Sequence, residues 1–341
     1  MFSDCKFLIQ CITNGSSLHS SVLFFVLSFP CYVTFLCIMY FSYDNLLKRG
    51  IRIALRDKVN DSLITGLRVV DSILPVGRGQ RQLILGDRYT GKSSVFISLL
   101  LSCSAMNILG SIDGFGTKRL FGLYVGCNQN LSKLRALIST LINDWSILIL
   151  SSQSSSQSIL SYMLCWIGIA LCERIRDRGF DSAICFDDLS KHSRAYRQIS
   201  LIQNKIPSRD AFPSDIFNVH SSLLERGGVG RIDSCYCIKS NKGSISAFPI
   251  IETIQEELSE FIATNVISIT DGQYYSNRTL FNDSLRPAID SGLSVSRIGS
   301  NAQCRIIKVC STGIKNDLTN YRLASSLDSM PNIMHCSYHC L

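Results

Sequence analysis

Apolar positions follow two unlike patterns along the chain. From Phe7 to Tyr43 no side chain is charged, and Ser21 to Phe41 is apolar and long enough to span a bilayer, with Pro30 placed to kink it. A membrane-crossing helix is the expectation there. The alternatives are a targeting segment, although no small-residue cleavage site stands out after Phe41, or an unrelated leader. After Asp44 the apolar runs become short. Gln82 to Leu85, Leu120 to Val125, Ser146 to Leu150 and Ser182 to Phe186 have strand length and are bounded by Gly, Asp or Ser. Between them lie helix-length segments, Ser93 to Leu101, Ser132 to Leu141 and Ile159 to Arg176. Strand alternating with helix predicts an α/β domain whose mostly parallel sheet is covered on both faces. Ser151 to Ser158 reads as a polar, flexible connection, and Ala324 to Leu341 carries no pattern. The chain is accordingly divided into an apolar segment at 1–43, an α/β domain at 44–323 and a tail at 324–341.

Composition agrees with this division. The 341 residues are 46% hydrophobic and only 18% charged, which excludes a disordered chain. Lys and Arg number 34 against 26 Asp and Glu, so the net charge of +8 is spread thinly rather than gathered into the basic blocks of a nucleic-acid binder. The 15 cysteines lie mostly singly in apolar segments and read as small hydrophobes. Cys235 and Cys237 are too close together for a zinc half-site, and His335, Cys336, His339 and Cys340 lack the loop that zinc spacings need.

The most informative stretch is Gly86 to Ser93, GDRYTGKS, two glycines separated by four residues and followed by Lys and Ser. A strand runs into it and a helix leaves it, so main-chain N–H groups and a helix N-terminus converge on a polyphosphate. Lys92 is expected on the outer phosphates and the Ser93 hydroxyl on Mg²⁺. Gly86, Asp87, Arg88, Tyr89, Thr90, Gly91 and Ser94 complete the nucleotide-binding set. Ala183 to Asp188, an apolar strand ending in two acids, supplies the carboxylate that such a metal needs, with Asp187 as the candidate.

GRGQRQLILGDRYTGKSS, FDDLSKHSRAYRQISL, ATNVISITDGQ and RPAIDSGLSVSRIGSNAQ together resemble, in order, the α subunits of the rotary F-type ATP synthases. TGLRVVDSILPVGRGQ, FPSDIFNVHSSLLER and FPIIET extend the likeness to roughly Leu63 to Arg322. The resemblance implies a RecA-like domain in a ring of alternating α and β subunits around a γ central stalk, braced by a peripheral stalk. It implies ATP and Mg²⁺ as ligands, a noncatalytic ATP site on this chain, and membrane association through the complex, with no nucleic acid as partner.

Residue by residue, Arg297 in SVSRIG resembles the arginine finger that reaches the γ-phosphate held by a neighbouring β subunit. Gln129 in YVGCNQN stands where catalytic β subunits carry glutamate, and a neutral amide is no general base. Arg286 and Pro287 match positions lining the adenine pocket. Departures from the family are Asn130-Leu131 for Lys-Arg, Ser222 for Arg, the apolar leader in place of an N-terminal β-barrel, and the lack of a C-terminal helical bundle. The contrasting expectations are a hexameric nucleic-acid motor of the termination-factor type, for which no reader module or catalytic acid is found, and a degenerate fragment that never assembles. Scattered Cys, Phe, Ser and Ile are compatible with an organelle-encoded product, so the inner mitochondrial membrane, matrix side, is expected ahead of a plastid membrane.

Overall fold

The computed structural model describes residues 24–26, 46, 50, 56–112, 119–141, 146–231, 242–253 and 257–328. Six strands form the core of the sheet: β1 (Gln82–Gly86), β2 (Leu120–Gln129), β3 (Ile147–Gln153), β4 (Asp181–Asp187), β5 (Lys242–Glu252) and β6 (Gly272–Ser276). They lie in the order β3-β2-β4-β5-β1-β6, and every neighbouring pair among them is parallel. Antiparallel strands finish the two edges, Phe24–Val26 beside β3 and β7 (Val295–Ser296) beside β6. The α/β fold with a mostly parallel sheet, expected from the alternation of runs, is the one observed.

Because side chains alternate across a strand, a sheet with two covered faces needs apolar residues at odd and even positions alike. β1 meets this condition: Leu83 and Leu85 enter one core, while Ile84 enters the other. On the first face pack α3 (Ser158–Arg176), α4 (Leu189–Ile202), α5 (Ile216–Leu224) and α6 (Phe261–Ile269), through residues such as Leu164, Leu189, Leu223 and Val266. The second face is covered by α1 (Lys92–Ile112) and α2 (Leu131–Leu141), through Phe96, Leu100, Leu134 and Leu137. α3 is long and apolar enough to cross a membrane by length and composition, but its Leu164, Cys165, Ile169 and Cys172 are spent on the sheet. Where α3, α4 and α5 meet, the rings of Tyr162 and His192 stack at 5.2 Å, and His220 lies 5.5 Å beyond His192.

Two expectations change. Ser151 to Gln153 are not a loop but the last turn-free residues of β3, with Ser151 and Ser152 buried. The Ser152 hydroxyl accepts the Asn128 amide at 3.0 Å and lies 3.2 Å from that of Ser161, so Ser152 is satisfied under α3. Past β7 come α7 (Arg305–Ser311) and α8 (Ile314–Asp328), and α8 runs through the boundary expected at 323. The apolar segment apart from 24–26, Cys235, Cys237 and the terminal His and Cys lie outside the described residues.

Candidate functional site

Parallel strands all end at the same edge of the sheet, and the loops that follow them share one crevice. Here that crevice is a cavity of about 960 Å³ at the ends of β1, β2, β4 and β5. β5 lies between β1 and β4, so the phosphate loop after β1 and the acid ending β4 face each other across one intervening strand. Arg88 to Ser94, Gln129, Asp187, Arg286 and Pro287 all line this cavity. Gly86 and Asp87 are buried and do not line it.

The loop is shaped by backbone conformations that its sequence permits. Gly91 sits at φ +82°, a left-handed value that suits glycine, and a Cβ on Gly86 would stand 2.6 Å from the Ser276 carbonyl oxygen. The chain is then tied on both sides. Thr253 N–H donates to Gly86 O at 3.0 Å, the Thr253 hydroxyl to Asp87 Oδ1 at 2.9 Å, and the Ser276 hydroxyl to Thr90 O at 3.0 Å. Lys92 opens α1 and its ammonium donates back to Asp87 O inside the turn. Burial pushes that ammonium's pKa down, against the pull of Glu252, Asp187, Asp188 and Asp87. Tyr89, at the tip, is 91% exposed.

Asp187 is the most heavily engaged group in the cavity. Its Oδ2 accepts the Ser93 hydroxyl at 2.7 Å, the Lys133 ammonium at 3.2 Å and the Tyr124 hydroxyl. Burial pushes the Asp187 carboxyl up, yet the Lys133 charge and these three donors outweigh it and hold the group below the usual carboxylate range. Asp188 is the opposite case. It caps α4 by accepting Lys191 N–H at 2.6 Å, and burial pushes it up to about 6. Gln129 donates its side-chain amide to Asp187 O at 2.9 Å. Glu252, at the end of β5, accepts Arg88 Nε at 3.2 Å. Over the far wall the Arg286 guanidinium lies 4.9 Å from the centre of the Phe281 ring.

Arg297 is not in this cavity. It follows β7, whose Ser296 pairs with Gly272 at the start of β6, whereas Ser276 at the other end of β6 pairs with Gly86. Its side chain is exposed, and its main-chain N–H donates to Asp271 O at 3.1 Å. Sequence reasoning missed Tyr124, Lys133, Glu252 and Thr253. Tyr124 is one apolar-looking member of a strand and Lys133 one polar member of an amphipathic helix, so neither carries a local signal.

Strand, glycine-rich turn and helix N-terminus, with a lysine inside the turn and an acid across one intervening strand, define a RecA-like P-loop nucleotide-binding fold. Residues 66–296 match the family described as the ATP synthase alpha/beta family, nucleotide-binding domain, and the chain belongs to that family. It is 43% identical over 272 residues to "ATP synthase subunit alpha" of Buchnera aphidicola subsp. Acyrthosiphon pisum, covering 78% of this chain and 51% of the relative. It is 40% identical over 292 residues to the protein of the same name from Leptothrix cholodnii, covering 80% and 54%. With that of a Janthinobacterium species the identity is 38% over 291 residues, with coverage again of 80% and 54%. The chain thus spans about half the length of these relatives.

Proposed function

We propose that this chain binds ATP beside Lys92 without turning it over, and offers Arg297 to a nucleotide held by a neighbouring catalytic subunit of an ATP synthase ring. The triphosphate would lie against the amides of Gly86 to Ser94, with Lys92 on its outer phosphates and the base towards Arg286 and Pro287. Ser93 and Asp187 are the oxygens that an accompanying Mg²⁺ would take. In the whole assembly the partners are the β subunits, the γ central stalk and the peripheral stalk, and membrane association and proton transport belong to that complex. A mitochondrial location rests on composition alone, since the relatives named above are bacterial.

One observation supports the noncatalytic half of this reading: Gln129, where the resemblance has glutamate in catalytic subunits, brings only an amide to the cavity wall, and that amide is spent on Asp187 O at 2.9 Å. A neutral amide cannot serve as a general base. Isothermal titration of the wild type and of Lys92→Ala with ATP tests the binding half. The variant should bind about 10- to 100-fold more weakly, the loss expected for charge-assisted hydrogen bonds of about 1.5 to 3 kcal/mol. Equal affinities would leave the chain a purely structural ring member.

A further inference from the structure

We propose that Tyr89, at the tip of the phosphate loop, is the stacking platform for the purine base of the bound nucleotide. The inference rests on the nucleotide reading above and adds to it what holds the base. Tyr89 differs from its neighbours on the loop. Thr90 donates its hydroxyl to Asp87 O at 2.8 Å, Arg88 is paired with Glu252, and Lys92 turns back into the loop. The Tyr89 side chain is 91% exposed, and no hydrogen bond or ring contact joins it to any other of the described residues.

Its backbone lies at φ +65°, in the left-handed region that disfavours a bulky side chain. Glycine would take that conformation at no steric cost, as Gly91 does two residues later. The fold therefore gains nothing from the ring, which sits in water on a strained residue and yet borders the cavity.

Topology decides which part of a nucleotide the ring would meet. The loop follows β1, which lies between β5 and β6, and β4 lies beyond β5. On the β4 side Ser93 reaches Asp187, and their hard oxygens suit the Mg²⁺ of a triphosphate. On the β6 side stand Phe281, Arg286 and Pro287, in the helix and loop that follow β6. The loop tip touches this second side. A Cβ on Gly91 would lie 3.7 Å from Phe281 Cε2, and the Arg286 guanidinium lies 4.9 Å from the centre of the same ring. A base held between Tyr89 and Arg286 would have a phenol ring on one face and a planar guanidinium on the other. Both groups stack on nucleobases, and a purine offers them the larger face.

Calorimetric titration of the full chain in Mg²⁺, with ATP and with inorganic tripolyphosphate, tests the inference. Tyr89→Gly permits the backbone conformation and removes the ring. It should bind ATP about tenfold more weakly than the wild type, a loss of the size expected for one stacked base, while its tripolyphosphate affinity stays within about twofold. Tyr89→Phe, which keeps the ring, should bind ATP as the wild type does. Wild-type ATP affinity in Tyr89→Gly, an equal loss for ATP and tripolyphosphate, or a Tyr89→Phe variant as weak as Tyr89→Gly overturns this inference and leaves the nucleotide site standing. No ATP binding by the wild type defeats the nucleotide reading and this one with it.

Discussion

The two ends of the sheet treat their charged groups differently. At the strand ends that border the cavity, the acids are met by cations of the same chain: Asp187 by Lys133, Glu252 by Arg88, Asp188 by Lys191. At the opposite end two arginines lie near the same aspartate with opposite fates. Arg81 grips Asp271 through Nε at 3.0 Å and Nη2 at 2.7 Å, the fork geometry of a structural ion pair. Arg297 takes only the Asp271 carbonyl, with its backbone, and leaves its guanidinium exposed. The first end gathers its acids and their partners around a cavity; the second presents an arginine side chain to solvent.

The strongest way to break that contrast is Arg297→Ala. In a ring assembled with a catalytic partner, hydrolysis should fall about 10³-fold, since an arginine finger is worth about that much or more. Steady-state ATPase assay of the reconstituted ring measures it, and unchanged turnover would remove Arg297 from the reaction.

A smaller effect separates both ends from the core between them. His192 and His220 are buried, and burial pushes them down to about 3 and about 4, with the His220 charge adding to the fall at His192. Their pKa values are lower folded than unfolded, so as pH drops below about 6.5 the unfolded chain takes up protons first and stability falls. Between pH 7 and 5 each histidine should cost about 2 kcal/mol, while Asp188, pushed up to about 6, returns about 1 kcal/mol across the same interval. Thermal melts should therefore show a net loss of about 2 to 3 kcal/mol on acidification, reduced in a His192→Gln, His220→Gln double variant. An equal acid shift in wild type and variant would move the pH response out of the core.

Gln129→Glu sharpens the cavity side. The new carboxylate would face Asp187 O with no proton to donate, costing about 1 to 2 kcal/mol in denaturant melts at neutral pH and less in acid. A neutral or stabilising result would mean that the amide contact holds nothing in place. Smallest of all, Arg297→Ala in the isolated chain should change neither ATP affinity nor melting by more than about 0.5 kcal/mol. A clear loss of affinity there would join the two ends into one site.

What the sequence disclosed follows from how local each feature is. GDRYTGKS is legible because its glycines, its lysine and the helix after it do their work within a few residues of one another. The runs at β1 to β4 are legible as short apolar stretches, though β2 extends on to Gln129 and β3 to Gln153 because α3 covers polar strand ends that composition assigns to a loop. β5 escapes periodicity. It sits between β4 and β1 yet carries Pro249, a residue that argues against a central strand, opposite Phe186. Lys133 is illegible in principle, for its meaning lies in a carboxylate on another strand. Arg297 lies outside the cavity, and no spacing in the chain encodes that separation.

The wedge formed by β5 has a consequence for how the protein comes into being. Gly86 is translated long before Thr253 and Ser276, the residues that clamp its loop from either flank. During synthesis the turn around Lys92 must wait, unbraced, until more than half of the polypeptide has emerged and threaded a strand between two already made. A nucleotide has little to grip before that moment, so ATP would stabilise only the finished sheet and could not chaperone its earlier stages.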